Sequence, residues 1–173
     1  NSYGDIKYVL NEEEYVEQEA NDFFVKRFIS GFGKMVVLYQ RTYSENNYNQ
    51  TMSLAIDFIT KDWEKYVLAS FKFTQFGALR LDKDIRALSS YLSSMTRWTS
   101  REKWARLNQI STVLNFEKPT EILDSWGAKA GGITWRLTVG EVRKIMALRS
   151  TMSIAINFLS VNFKPDDIAK LKL

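Results

Sequence analysis

A chain of 173 residues with 45% hydrophobic content is long enough for one substantial core and short for two independent ones. It holds no cysteine and no histidine, so a disulfide framework, a thiolate metal site, and the usual zinc ligand and neutral-pH general base are all excluded. The net charge of +4 conceals an asymmetry: Glu12, Glu13, Glu14, Glu17, Glu19 and Asp22 cluster near the start, whereas from residue 26 onward there are 23 basic against 13 acidic residues. Only two prolines and eight glycines punctuate the sequence, and apolar residues recur at helical spacing along most of it. These features predict an all-α fold, an antiparallel helical bundle or stack in a single unit over residues 1–173. An acidic lead-in would span 1–20, a main helical stack 21–127 and terminal helices 128–173.

In the lead-in, Asn11-Glu-Glu-Glu14 offers a capping box for a short acidic helix. From Asn21 to about Tyr43, Phe24, Phe28, Phe32, Met35 and Tyr39 form a helical stripe, with Val25, Ile29 and Val36 on an adjacent row. Gly31 and Gly33 inside it predict either close approach of a neighbour or a kink. Ser44-Glu-Asn-Asn-Tyr-Asn49 reads as an interhelical loop. A long helix follows from Gln50 to about Phe73, with Met52, Ala55, Ile59, Trp63 and Val67 in register. Leu54, Phe58 and Leu68 widen its band enough to predict burial between two neighbours. Thr74 to Leu79 breaks the pattern.

Three starts then follow in succession. Asp82 and Asp84 lead a stripe of Ile85, Leu88, Leu92 and Met95. Thr99-Ser-Arg-Glu102 is a capping box before Trp104, Leu107, Ile110 and Leu114. Pro119-Thr-Glu121 opens a third helix that ends at Gly127. Ala128 to Gly132 reads as a flexible loop and Ile133–Leu137 as an extended piece. Thr138-Val-Gly-Glu141 is another capping box, starting a helix through Val142, Ile145 and Leu148 and beyond. A turn and a small helix from Pro165 close the chain. Thr51–Thr60 recurs once as Thr151–Ser160 with six of ten positions identical, which is no repeat architecture.

No starting Met and an ordinary opening suggest a fragment of a longer polypeptide. No apolar run reaches the roughly 18–20 residues that span a bilayer, so the piece is expected to be soluble. No nucleotide-binding glycine loop, metal cluster or base-activated nucleophile can be assembled, which points away from an enzyme and from any cofactor or small-molecule substrate. The basic balance of +10 after residue 25 leaves a helical nucleic-acid binder as the alternative reading.

The runs FGALRLDKDIRALSSYL, TRWTSREKWARLNQISTVLN, TEILDSWG, ITWRLTVGEVRKIMALR and VNFKPDDIAKLKL resemble the C-terminal region of subunit 4 of the conserved oligomeric Golgi complex. The likeness extends upstream through EEEYVEQEANDFFVKRFI. It implies a helical-rod, non-enzymatic tethering subunit at the cytosolic face of Golgi membranes. Such a subunit works in intra-Golgi and Golgi-to-ER retrograde transport, and its partners are sibling subunits, SNAREs and SNARE regulators, not nucleic acid. The sequence departs from the family where Ser150–Ser160 separates the late helix from the terminus. If helical, those residues would shift the terminal segment by roughly 16 Å.

The resemblance also implies that Arg106 and Glu141 form a polar pair joining two helices. Arginine's planar fork suits such a bridge, although Glu141 is already accounted for by its capping box. Trp98, Trp126 and Trp135 are candidates for a partner-binding surface, against the commoner fate of core packing, which fits Trp104 on its helix's apolar stripe.

Overall fold

The computed structural model describes residues 6–21, 23–149 and 163–173. Its helices are α1 (Glu12–Asn21), α2 (Phe23–Thr42), α3 (Glu45–Ser70), α4 (Gln75–Ser94), α5 (Arg101–Asn115), α6 (Val139–Leu148) and α7 (Pro165–Ala169), with 3₁₀ turns at Pro119–Asp124 and Gly127–Lys129. The all-α expectation holds. α5 lies at the centre, packed against α3, α4 and α6; α1 and α2 lie on α4, and α7 on α6. The antiparallel run of α4 and α5 is visible in its rungs: Ser93 meets Ser100, Asp82 meets Ser111, and Asn115 reaches the Ala78 carbonyl. Among the described residues, no helix is long and apolar enough to cross a membrane.

Local chemistry explains where the helices begin. Asn11 and Glu14 form the expected reciprocal box at α1, with bonds of 2.8 and 3.0 Å. The expected loop at Ser44–Asn49 is instead a helix start. Ser44 caps α3 through the Asn47 amide, and only Tyr43 and Ser44 separate α2 from α3. Asn and Ser favour helix N-termini as much as loops, so the polar run misled. The break expected at Thr74 is likewise the first turn of α4, capped by Thr74 onto the Gly77 amide. Asp82 and Asp84 therefore lie inside α4. Asp82 pairs with Arg86 one turn on, and Asp84 is buried.

Ser100, not Thr99, stands at the start of α5. Its hydroxyl is taken by Ser93, while Glu102 reaches across to Arg136. The third predicted helix is a pair of 3₁₀ turns, in which the three-residue period puts the buried Pro119 and Ile122 on one side. Glu121 accepts from the Lys118 amide at its entrance. The loop expected at Ala128–Gly132 is partly wound too, with Gly127 and Gly131 taking the positive φ of its tight turns.

One core runs from Tyr8 through Ile56, Leu88, Ile110 and Ile145 to Leu171. Residues 6–11 contribute a strap across the start of α4. Thr74 Oγ1 donates to the Leu10 carbonyl at 2.7 Å and accepts from the Leu10 amide, and the Thr74 amide donates to the Tyr8 carbonyl. That carbonyl occupies the space a side chain at position 77 would fill, which makes Gly77 obligatory. α2 runs through its two glycines as an unbroken helix: Gly33 lies against the Tyr91 hydroxyl, while Gly31 faces open space. The broad band of α3 is not buried between two neighbours, since Leu54 and Phe58 point away from the core. The second copy of its decapeptide, within Ser150–Ser160, lies outside the described residues, as does any continuation of α6 there. Phe163, Ile168 and Leu171 beyond it are buried, and Arg143 holds the Leu171 carbonyl at 2.9 Å.

Candidate functional site

Arg106 projects from α5 beside the buried Trp104 and Leu107. Its Nε and Nη2 form a fork on the Glu64 carboxylate of α3 at 2.7–3.1 Å. The same Nη2 donates to Glu141 Oε1 of α6 at 2.6 Å, and Nη1 donates to the Arg136 carbonyl at 2.6 Å. One guanidinium thus joins three helices and the 133–137 segment, which a monopolar ammonium could not do with the same geometry. Gln109 clamps that segment from α5 as well, donating to the Thr134 carbonyl and accepting from the Arg136 amide.

Glu141 makes two sets of contacts at once. Its Oε2 accepts from the Thr138 amide at 2.7 Å, completing the α6 capping box with Thr138 Oγ1, while Oε1 faces Arg106. The arginine, and then the Thr138 amide, hold its carboxyl down at about 2 from an ordinary 4.5; the two carboxylates push the Arg106 guanidinium upward. The Arg106 side chain is 34% exposed and Glu64 17%, so the cluster sits at the rim of the core, where pairing costs little desolvation.

Residues 1–144 match the family model described as conserved oligomeric Golgi complex subunit 4, C-terminal. The chain belongs to this family. It is 45% identical over 168 residues to conserved oligomeric Golgi complex subunit 4 of Arabidopsis thaliana, 38% over 173 residues to that of Homo sapiens, and 32% over 175 residues to that of Drosophila melanogaster. These matches cover 97%, 100% and 100% of this chain, but it spans only about a fifth of each relative's length (21%, 20% and 21%).

In this chain the three candidate tryptophans separate. Trp126 and Trp135 pack on one another with ring centroids 5.1 Å apart, half-buried against the core, and Trp135 Nε1 donates to the Ser125 carbonyl at 2.6 Å. Trp98 stands exposed in the turn between α4 and α5. Trp104 is buried in the core. Several of the basic residues are paired with carboxylates: Lys61 with Asp57, Lys83 with Glu19, Arg86 with Asp82, Arg97 with Glu45 and Arg136 with Glu102. No group of three acidic side chains among the described residues is placed to hold a metal ion.

Sequence reasoning missed Glu64, the strongest partner of Arg106. It also missed two buried arginines. Arg80 binds Asp84 at 2.8 Å and the Gln18 carbonyl at 2.7 Å, and Asp84 accepts from the Tyr8 hydroxyl at 3.0 Å. Arg149, at the end of α6, donates to the Leu114 carbonyl and to Gln75, with the Phe163 ring 4.9 Å from its guanidinium carbon. Burial pulls its guanidinium downward, and the negative end of α5 stands in for a carboxylate. Arg80 falls between the break read at Thr74–Leu79 and the helix start read at Asp82, and Arg149 follows the correctly read stripe of Val142 and Ile145, where spacing alone gives no sign that an arginine is buried.

Proposed function

We propose that this chain is a non-enzymatic, protein-binding part of a multisubunit Golgi tethering complex. It works at the cytosolic face of Golgi membranes in intra-Golgi and Golgi-to-ER retrograde transport. Its business is contact with sibling subunits, SNAREs and SNARE regulators, made by the outer surface of a helix stack whose relative orientations are fixed by the Arg106 junction. The match of residues 1–144 to the subunit 4 family carries this reading. Physical support comes from the junction: a bridge tying α3, α5 and α6 gives a rigid surface to recognise, and preformed surfaces avoid the ordering cost of binding.

The test is co-purification of the full-length subunit with its siblings and with Golgi SNAREs, comparing the natural sequence with Arg106→Glu. Retention by the natural sequence and a several-fold loss in the variant is the expected result. Equal recovery of every partner after deletion of residues 1–173 would remove this chain from the binding role.

A further inference from the structure

The face of the α2–α3 hairpin that points away from the core is both apolar and basic. Phe24 packs on Trp63 and Gln40 bonds to Tyr48, so the two helices run antiparallel with Met35 level with Met52 and Leu38 level with Asn49. Met35 and Leu38 on α2, and Leu54 and Phe58 on α3, are 49%, 65%, 65% and 70% exposed and occupy adjoining turns. They are spaced three or four residues apart on their helices, with Leu38 turned away from the buried Val36, Met35 at the edge of that row, and Leu54 and Phe58 turned away from the buried Ile56. Two neighbouring antiparallel helices leave a furrow between these rows. Thr51 and Ala55 line it with small side chains, and a side chain added at Gly31 would meet nothing within 4 Å.

Around this strip basic residues predominate; the acidic residues nearest to it are Asp57, tied to Lys61, and Asp62, both on α3. α2 carries Lys26, Arg27, Lys34 and Arg41 and no acidic residue. Lys34, Arg41 and, on α3, Lys65 are exposed, and no ion pair engages them among the described residues. Isolated exposed leucines are ordinary, but four large apolar side chains grouped along one furrow with a cationic border are an interaction surface.

We propose that this furrow receives an acidic amphipathic helix of a partner protein. Its apolar stripe would lie over Met35, Leu38, Leu54 and Phe58, and its carboxylates would face Lys34, Arg41 and Lys65. Helix-in-groove docking uses apolar anchors three and four residues apart, which is the spacing this face presents. Complementary charge sets the orientation and speeds encounter. The inference deepens the assembly reading above and rests on it.

The probe is a synthetic helical peptide with leucines at heptad spacing flanked by glutamates, titrated into the 173-residue chain by fluorescence anisotropy. Expected are saturable binding that weakens with salt, a loss of about tenfold or more in Phe58→Glu, and a comparable loss in the double variant Lys34→Glu, Arg41→Glu, with unchanged helical circular dichroism and melting. The double variant decides the matter if Phe58→Glu fails to fold. The same peptide with lysine flanks should not bind. Equal binding of both peptides, binding only to phosphatidylserine vesicles, or a dimer of the chain abolished by Phe58→Glu would each overturn the proposal. So would occupation of the furrow by another part of the full-length subunit. Sibling subunits that co-purify with a chain blind to the peptide would sink this inference alone; loss of both would sink the assembly reading too.

Discussion

Two arginine clusters hold this chain together in opposite ways. Arg106 lies at the rim, a third exposed, with two carboxylates and a carbonyl around it. Arg80 and Asp84 are only 4% and 3% exposed, with the Tyr8 hydroxyl completing the group. Taking two charges out of water costs several kcal/mol per ion before pairing returns it, so the inner cluster is costly to form and costlier to break. The rim cluster is cheap to form, and its value lies in fixing how three helices sit. Burial also sets the direction of Tyr8, whose phenol is pushed well above its usual range by desolvation first and by Asp84 next. The strap is therefore held best while that phenol stays protonated.

The contrast is broken most directly by removing one inner partner. Asp84→Ala strips the carboxylate that both Arg80 and Tyr8 face, and orphaning a buried charge should cost about 3–5 kcal/mol, read as a lower urea midpoint at unchanged slope. A change no larger than a surface substitution would mean that water reaches Arg80. Next comes Gly77→Ala, whose added methyl overlaps the Tyr8 carbonyl and must lift the strap. Unseating Tyr8 and Leu10 at about 1.5–3 kcal/mol per buried side chain gives a loss of about 3–6 kcal/mol, less what relaxation recovers. Hydrogen exchange should show it first at the amides of Leu10 and Thr74, both bonded in the strap contact.

Smaller effects belong to the rim. Arg106→Glu should cost about 1–2 kcal/mol, because it sets a third carboxylate beside Glu64 and Glu141. The reciprocal swap, Arg106→Glu with Glu141→Arg, should restore only part of that loss. Glu64 stays in place and repels the new glutamate, and the α6 capping box loses its carboxylate. A double-mutant cycle gives the coupling; full additivity of the two changes would show that the pair does not act as one.

What was legible in the sequence was what is local. The boxes Asn11/Glu14 and Thr138/Glu141 are set by a spacing of three along one chain, and both form. The stripe Trp104, Leu107, Ile110 and Leu114 is set by helical period, and all four are buried. Glu64 was not legible because 42 residues separate it from Arg106, and no pattern joins a carboxylate on one helix to a guanidinium two helices on. Asp84 was misassigned for a related reason. The true start of α4 is a single Thr74 shared with the strap, so the later aspartates, the stronger local signal, drew the boundary forward. Phe58 and Leu54 fit a buried band by periodicity alone, since period reveals which residues share a face and not whether anything covers it.

The smallest expected effect separates charge from packing at the rim. Glu141 titrates at about 2 in the folded chain against an ordinary 4.5, so the folded state holds the ionised form more tightly than the unfolded state does. Its contribution is complete above pH 4.5, declines as acid protonates the unfolded carboxyl first, and is gone once pH falls below about 2. With the side chain 32% exposed, screening reduces that contribution to under about 1 kcal/mol. Because Glu14 and Asp57 are also held down by lysines, wild-type acid unfolding alone would mix three groups. The stability gap between wild type and Glu141→Gln cancels the other two. That gap should be constant near neutrality and close between pH 4.5 and 2, and high salt should narrow it. A gap that persists unchanged to pH 2 would assign the value of Glu141 to the shape of its capping box, and would leave Glu64 as the carboxylate that fixes Arg106.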